Sequence, residues 1–507
     1  MPCLAADRPC QEGLGADSYD TPKGAKHGLS AVAPGRGQSI AVVPTRHAAR
    51  CHRDRRGLAG RITPAGAAGM ITYPNTTDRR PVAKRNALDD KPDAESRRIV
   101  FCLPALAQGG MERATLMLAE ALCEHGCAVD ILLERRVGGY LADVAPAVGL
   151  HALHKGAKWA AYAALIRAWP RFGTSQWLRW LVGRRHYLPI RRLPSLAAYL
   201  KRTRPDVMFV SHGRMPILAI LAVRMAGLST RIVIIEHSTL SRWLEVFTDQ
   251  PEKHDKWRYR VELARRFYPF ADRIVGVSHG VTEDLTRLLG LAPSKTGTIY
   301  NPVRLPEPTS LRPPAHPWFD TPRACPLIVA VGRLVSEKDF ALLIDAFAEL
   351  RRHQAARLMI IGEGEERASL EARIAALGLS ADVVLPGWWA DAQAAMAHSD
   401  LFVLSSRFEG LGLVLIEAMA VGCPVVSVDC PSGPREILDN GRYGTLVPMA
   451  EPVALSRAMT AMLAAPTSAD TLRARAAQFS TANAVHEYMR LIASVTADGQ
   501  AGEETLT

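Results

Sequence analysis

What this chain of 507 residues lacks narrows its class first. Its nine cysteines are scattered, with no CxxC pair. Cys123 and Cys127 stand four apart on an expected helix and face a core there, so reduced thiols are expected rather than a disulfide framework or a zinc site. No run reaches the ~18 uninterrupted apolar residues of a membrane span. Residues 215–228 come nearest, and Arg224 interrupts them. The N-terminus carries no apolar segment of the signal-peptide kind. The expectation is a cytoplasmic protein, soluble or held at a membrane surface. No GxGxxG follows the first strand, which weakens a dehydrogenase reading, and no DxD pair of aspartates offers itself to a metal.

Two further absences are local. Residues 1–95 have few large apolar side chains and no sustained period, so disorder is expected there. Their basic cluster at 52–56 reads as a solvated tail, and Met70 is a possible alternative start. Between 144 and 205 there is no acidic residue, while twelve Lys or Arg stand among Trp159, Trp169, Trp177, Trp180 and Tyr187. Cations interleaved with tryptophans suit an anionic membrane surface. Single-stranded nucleic acid and a basic insertion folded on the protein itself are the alternatives. The net charge of +12 agrees with an anionic partner of some kind, whether nucleotide, phospholipid or nucleic acid.

What is present is alternation. Short apolar runs at 98–103, 129–133, 206–211, 231–235 and 273–278 are separated by helical stretches, which predicts a parallel doubly wound domain over 96–302 with a basic, aromatic insertion at about 151–204. Six prolines crowd 306–322, so 303–326 reads as a linker. A second alternating set follows over 327–480, and 481–507 holds a last amphipathic helix and tail. The fold class is α/β, with two Rossmann-like domains facing a cleft. Ligands of such domains lie beyond the carboxyl ends of the strands. There the chain places Gly110, His237, Arg333 and Lys338. A second glycine loop, 362–366, carries three glutamates and reads as a turn rather than a phosphate site.

The most informative stretch is 406–420. A strand at 401–404 leads into a loop with Glu409, Gly410 and Gly412, then into a helix whose first turn holds Leu413 and Val414. A helix start behind glycines suits phosphate, since free N–H groups and the positive dipole end point at the loop. Glu417 is the odd residue. Its helical neighbours Leu413, Val414, Ala420 and Val421 are all apolar, and a carboxylate there is costly unless something hydrogen-bonds to it. The alternatives are a glutamate that snorkels to water and a carboxylate placed for a polar ligand.

Gly332-Arg333-Leu334 with Lys338, Glu409-x7-Glu417, and Gly422-x-Pro424-Val425-Val426 together resemble retaining glycosyltransferases of family 4, with the GT-B fold, over roughly 98–500. The resemblance implies metal-independent transfer from a nucleotide-sugar, taken as UDP-linked, to a glycan or lipid-linked acceptor, with no cofactor. It implies that Arg333, Lys338 and the backbone at Gly110 hold the diphosphate. Gly410, Gly412, Leu413 and Val414 would complete that cradle. Glu417 would take the ribose hydroxyls, Glu409 would face the donor sugar, and His237 would lie between sugar and acceptor. Leu411 stands where an aromatic is common in the family, and Asp339 where glycine is common. The segment 429–436 is similar to members that build surface polysaccharides or lipid-linked oligosaccharides. A sugar-nucleotide epimerase or a phosphorylase of similar shape is the alternative enzyme, and a nucleic-acid-binding protein the alternative class.

Overall fold

The computed structural model describes residues 96–107, 109–168, 190–248, 250–307, 310–320 and 322–503. The expected disorder of 1–95 and the rings of Trp169, Trp177, Trp180 and Tyr187 lie outside the described residues.

Two parallel sheets organise the described residues. The first contains β1 (Arg98–Leu103), β2 (Ala128–Leu133), β3 (Gly149–Ala152), β4 (Val207–Ser211), β5 (Arg231–Glu236), β6 (Arg273–Gly276) and β7 (Thr296–Thr298), in the order β3-β2-β1-β4-β5-β6-β7. The second contains β8 (Leu327–Val331), β9 (Arg357–Ile361), β10 (Val383–Gly387), β11 (Leu401–Leu404), β12 (Val425–Val428) and β13 (Thr445–Val447), in the order β10-β9-β8-β11-β12-β13. Central strands are buried on both faces, which is why they read as continuous apolar runs rather than as alternating ones. In each sheet the winding direction reverses once, between β1 and β4 and again between β8 and β11. At such a reversal neighbouring crossovers leave in opposite directions, and a crevice opens at the strand ends.

The near-apolar run at 215–228 is a core helix, Met215–Ala226, buried along almost its whole length. Arg224, which interrupts the run, lies over the Phe270 ring at 4.5 Å. The last helix, Thr481–Glu503, packs back on the first sheet rather than on the second half that precedes it. Tyr488 meets Phe209 edge-on at 5.4 Å, and Phe209 stacks on Phe101 at 5.1 Å. The proline-rich segment is laid on the second half. Arg323 grips both carboxylate oxygens of Asp400 at 2.9 Å, and His398 donates to the Leu311 carbonyl at 3.0 Å. Among the described residues, no helix is long and apolar enough to cross a membrane.

Candidate functional site

The two reversals carry most of the residues singled out above. In the second half β8 runs into Gly332 and Arg333. Arg333 is exposed, and its guanidinium makes no hydrogen bond or ion pair among the described residues. The loop behind it rests on the glutamate-bearing glycine loop. Leu334 N–H donates to the Glu363 carbonyl at 2.9 Å, and a Cβ on Gly364 would fall 2.2 Å from the Leu334 carbonyl oxygen. Those glycines therefore allow a close approach of two backbones. One turn on, Lys338 Nζ lies 2.5 Å from Glu409 Oε1, and Ser406 Oγ donates to the same oxygen at 2.6 Å. Asp339 has φ +47, a conformation that favours glycine, and its carboxylate accepts from Leu342 N–H and pairs with Arg407 at 2.9 Å. The aspartate thus offsets the strained backbone by capping the next helix.

After β11 the loop turns at Gly412 (φ +93) into the eight-residue helix Leu413–Ala420. Glu417 lies in the buried part of that helix. Burial pushes its carboxyl up, Arg113 opposes the rise and Asp391 adds to it. Its partner comes from the other half: Arg113 Nη1 donates to Glu417 Oε1 at 3.0 Å. The apolar-face carboxylate is therefore neither snorkelling nor alone.

In the first half the apolar period over 114–125 predicts a helix; in the structure β1 hands over to the helix Gly110–Glu124, which starts four residues earlier. Sequence pattern missed this turn because its glycines and charged residues hide the helical period. A Cβ on Gly110 would come within 3.1 Å of Leu413 Cδ1, so the two helix starts abut. Glu112 folds back beside Gly109. Burial raises its carboxyl, while its own backbone N–H and Arg333 hold the rise in check. β4 ends at Ser211, followed by His212 at φ +67. β5 delivers Glu236 and then His237. Glu236 is buried and bonded by the Tyr268 hydroxyl and by Arg260 at 3.4 Å. The Asn301 amide donates to His237 Nδ1 at 3.3 Å, which leaves the proton on Nε2, 3.3 Å from Ser211 Oγ. Burial, with His212 adding, lowers the His237 imidazole to about 3. His212 opens into the cleft but is ringed by protein, and that enclosure, with Arg260 and Arg333, lowers it to about 4. Both rings are neutral at physiological pH.

The halves also touch at backbone level. A Cβ on Gly410 would sit 1.8 Å from the His237 carbonyl oxygen, so only glycine fits there. Ser278 Oγ donates to the Gly410 carbonyl at 2.6 Å. Glu436 accepts from His279 N–H and Gly280 N–H, both at 2.8 Å, at the start of the helix His279–Leu289. The structure thus brings Gly110, His237, Lys338, Glu409, Gly410, Gly412, Leu413, Val414 and Glu417 to one junction, with Arg333 at its open side. Sequence reasoning gave no role to Arg113, Ser211, His212, Ser278, Asn301 and Glu436. Two of them had a visible signal: Asn301 precedes a proline after a strand, and Arg113 closes the Gly109-Gly110-Met111-Glu112 loop sequence. Among the described residues, no group of three or more His, Cys, Asp or Glu is placed to hold a metal ion.

Comparison with known proteins accords with this geometry. The family described as "Glycosyl transferases group 1" matches residues 320–479, and "Glycosyltransferase Family 4" matches residues 108–306. The chain is 34% identical over 260 residues to a Campylobacter jejuni enzyme, N-acetylgalactosamine-N,N'-diacetylbacillosaminyl-diphospho-undecaprenol 4-alpha-N-acetylgalactosaminyltransferase, covering 50% of this chain and 67% of that one. It is 35% identical over 185 residues to the Rhizobium meliloti lipopolysaccharide core biosynthesis glycosyltransferase LpsE, covering 35% of this chain and 52% of that one. The matched part thus spans about two thirds of one relative and about half of the other. Among solved structures, Anabaena HepE in complex with UDP superposes with a TM-score of 0.60 at 19% identity, over 78% of this chain and 100% of that one. That likeness establishes the fold, which is GT-B. The chain belongs to glycosyltransferase family 4.

Proposed function

We propose that the protein moves a sugar from a UDP-linked donor to a glycan or lipid-linked acceptor in polysaccharide or lipopolysaccharide assembly. Transfer proceeds with retention, needs no metal, and takes place at the cytoplasmic face of the membrane. The observation that carries this reading is the meeting of the two chain reversals, where Gly110 abuts Leu413 and Gly410 abuts His237. Such a junction offers two helix starts, two cations and two carboxylates to one elongated ligand. The Campylobacter relative is named for a diphospho-undecaprenol acceptor and HepE was solved with UDP, which favours the same donor and acceptor classes here.

In this reading Arg333 and Lys338 stabilise charge growing on the departing diphosphate. A cation about 4 Å from a phosphate charge contributes ~4 kcal/mol of attraction at an effective dielectric of ~20, before desolvation. The Arg333 guanidinium makes no hydrogen bond or ion pair among the described residues, whereas Lys338 must share itself with Glu409. Glu409 faces the donor sugar. The neutral His237 offers its Nε2 proton to a sugar or acceptor hydroxyl without bringing charge. Retention requires the acceptor oxygen to arrive on the face that the diphosphate leaves. The acceptor's proton then has the departing phosphate oxygen as its nearest base.

Membrane contact is assigned to the first half. On the helix Lys158–Arg167, Trp159 and Ile166 are 75% and 60% exposed, seven residues apart and so on one face, with Lys158 and Arg167 beside them. The test of the whole reading is a transfer assay with UDP-sugars and a polyprenyl-diphosphate glycan, run with and without a chelator and in vesicles of differing anionic lipid content. The anomeric configuration of the product is read by NMR. Product retaining the donor's configuration, chelator resistance and dependence on anionic lipid are the expected results. Net epimerisation, or release of a sugar phosphate in the presence of inorganic phosphate, points instead to the alternative enzymes.

A further inference from the structure

Arg113 stands where a helix does not favour it. It is the fourth residue of the helix Gly110–Glu124, close to the positive end of the dipole, where an anion is preferred and a cation is disfavoured by a few tenths of a kcal/mol or more. Its guanidinium crosses to the second half and donates to Glu417 Oε1 at 3.0 Å. The Glu417 carboxylate makes no other hydrogen bond or ion pair among the described residues, and its second oxygen is left for another donor. The carboxylate is set among apolar neighbours on a helix with no other charge.

We propose that Arg113 is a donor-positioning residue, reaching from the first half to hold Glu417 as an oriented carboxylate for the paired hydroxyls of the donor's nucleoside. The inference rests on the nucleotide-sugar reading and adds to it a contact between halves. The nucleoside subsite is then completed by the first half even though its carboxylate belongs to the second. Arg113 acts through Glu417 and need not touch the sugar that is transferred.

The charged and titratable groups around Glu417 are few. Arg113 and Glu112 come from the first-half helix, Tyr140 from the turn Gly139–Asp143, and Asp391 from the start of the helix Ala392–Ala397. Of the other charged elements packed on the Glu417 helix, Arg473 lies against Gly422, and Arg475 binds the Glu436 and Ile437 carbonyls. Arg113 is thus the cation that favours the ionised carboxylate. Without it, burial and Asp391 act unopposed and the proton stays on to higher pH.

The test is calorimetric titration of the full chain with UDP from pH 5.5 to 8.5. Wild type, Arg113→Ala, Arg113→Lys and Glu417→Gln are compared, with circular dichroism on each. Removing the cation should weaken UDP binding roughly tenfold at pH 7 and move the acid limb of the affinity profile to higher pH. Arg113→Lys should restore most of both effects. In the Glu417→Gln background the limb should be absent, and adding Arg113→Ala should change little. An Arg113→Ala profile that superimposes on wild type overturns this inference alone. So does an Arg113→Lys profile as displaced as that of Arg113→Ala. A wild type that does not bind UDP overturns the donor reading and this inference together.

Discussion

The two cleft edges are built by one rule, a parallel sheet whose winding reverses, and they differ in charge. The first sheet's edge presents His237 and His212, both held neutral by enclosure, and the backbone of a glycine-started helix. The second sheet's edge presents Arg333, Lys338, Glu409 and Glu417. The same topology therefore supports two chemical tasks. In the proposed reading one side grips a charged donor, and the other offers uncharged hydrogen-bonding groups to a sugar hydroxyl. The comparison is blurred at Glu112-Arg113, where adjacent opposite charges of the first half face Arg333 and Glu417 of the second.

Breaking the charged edge should have the largest effect. Arg333→Ala and Glu409→Ala are each expected to lower turnover by ~10²–10³ or more in a radiolabel transfer assay. Arg333→Ala should move the melting temperature little, because the exposed guanidinium makes no hydrogen bond or ion pair among the described residues and only faces Glu112. Glu409→Ala should shift it, since Lys338 and Ser406 lose their shared acceptor. A variant with near-normal turnover removes that residue from the donor site.

Breaking the bond between the edges should cost less. Glu436→Gln weakens two charge-assisted hydrogen bonds to the start of the helix His279–Leu289, and a loss of about 1–3 kcal/mol in urea unfolding is expected. An unchanged midpoint would show that the halves are held together elsewhere.

The neutral edge makes a prediction about acid. An unfolded histidine titrates near 6.5, whereas folded His237 resists protonation down to about 3. Between those values the unfolded chain binds the extra proton. The stability from the neutral ring is therefore full above about pH 6.5 and is lost as pH falls towards 3. His237→Asn should show a shallower decline in melting temperature from pH 7 to 5 than wild type; an equal slope would contradict the assignment. Smallest of all, Glu363→Ala removes an exposed pair with Arg367 and should move stability by less than ~0.5 kcal/mol, with activity unchanged.

Much of both edges was legible in local sequence pattern. Glu417 was conspicuous because a single carboxylate interrupts eight apolar residues, and Glu409, Arg333 and Lys338 because strand ends deliver them. Their partners were not legible. Arg113 lies 304 positions from Glu417 in the chain, and no periodicity reports a contact that long. For the same reason the amphipathic last helix could be foreseen, but not that Tyr488 would seek Phe209 in the first sheet. Asp339 shows a different limit: its departure from glycine is intelligible only once its φ of +47 and its capping bond to Leu342 are known. The basic segment at 144–205 remains legible chiefly through composition, with Trp159 and Ile166 its exposed apolar side chains among the described residues.

The central claim is that both edges close on one nucleotide-sugar. It is tested most directly by the thermal shift of the full chain in a panel of nucleoside diphosphates and their sugars, for wild type and Arg333→Ala. A ligand at a hundred times its dissociation constant raises stability by ~2.7 kcal/mol. Such a rise is expected for wild type with UDP or a UDP-sugar, and a much smaller one for the variant. A wild type indifferent to every nucleotide in the panel, or a variant that responds equally, would contradict it.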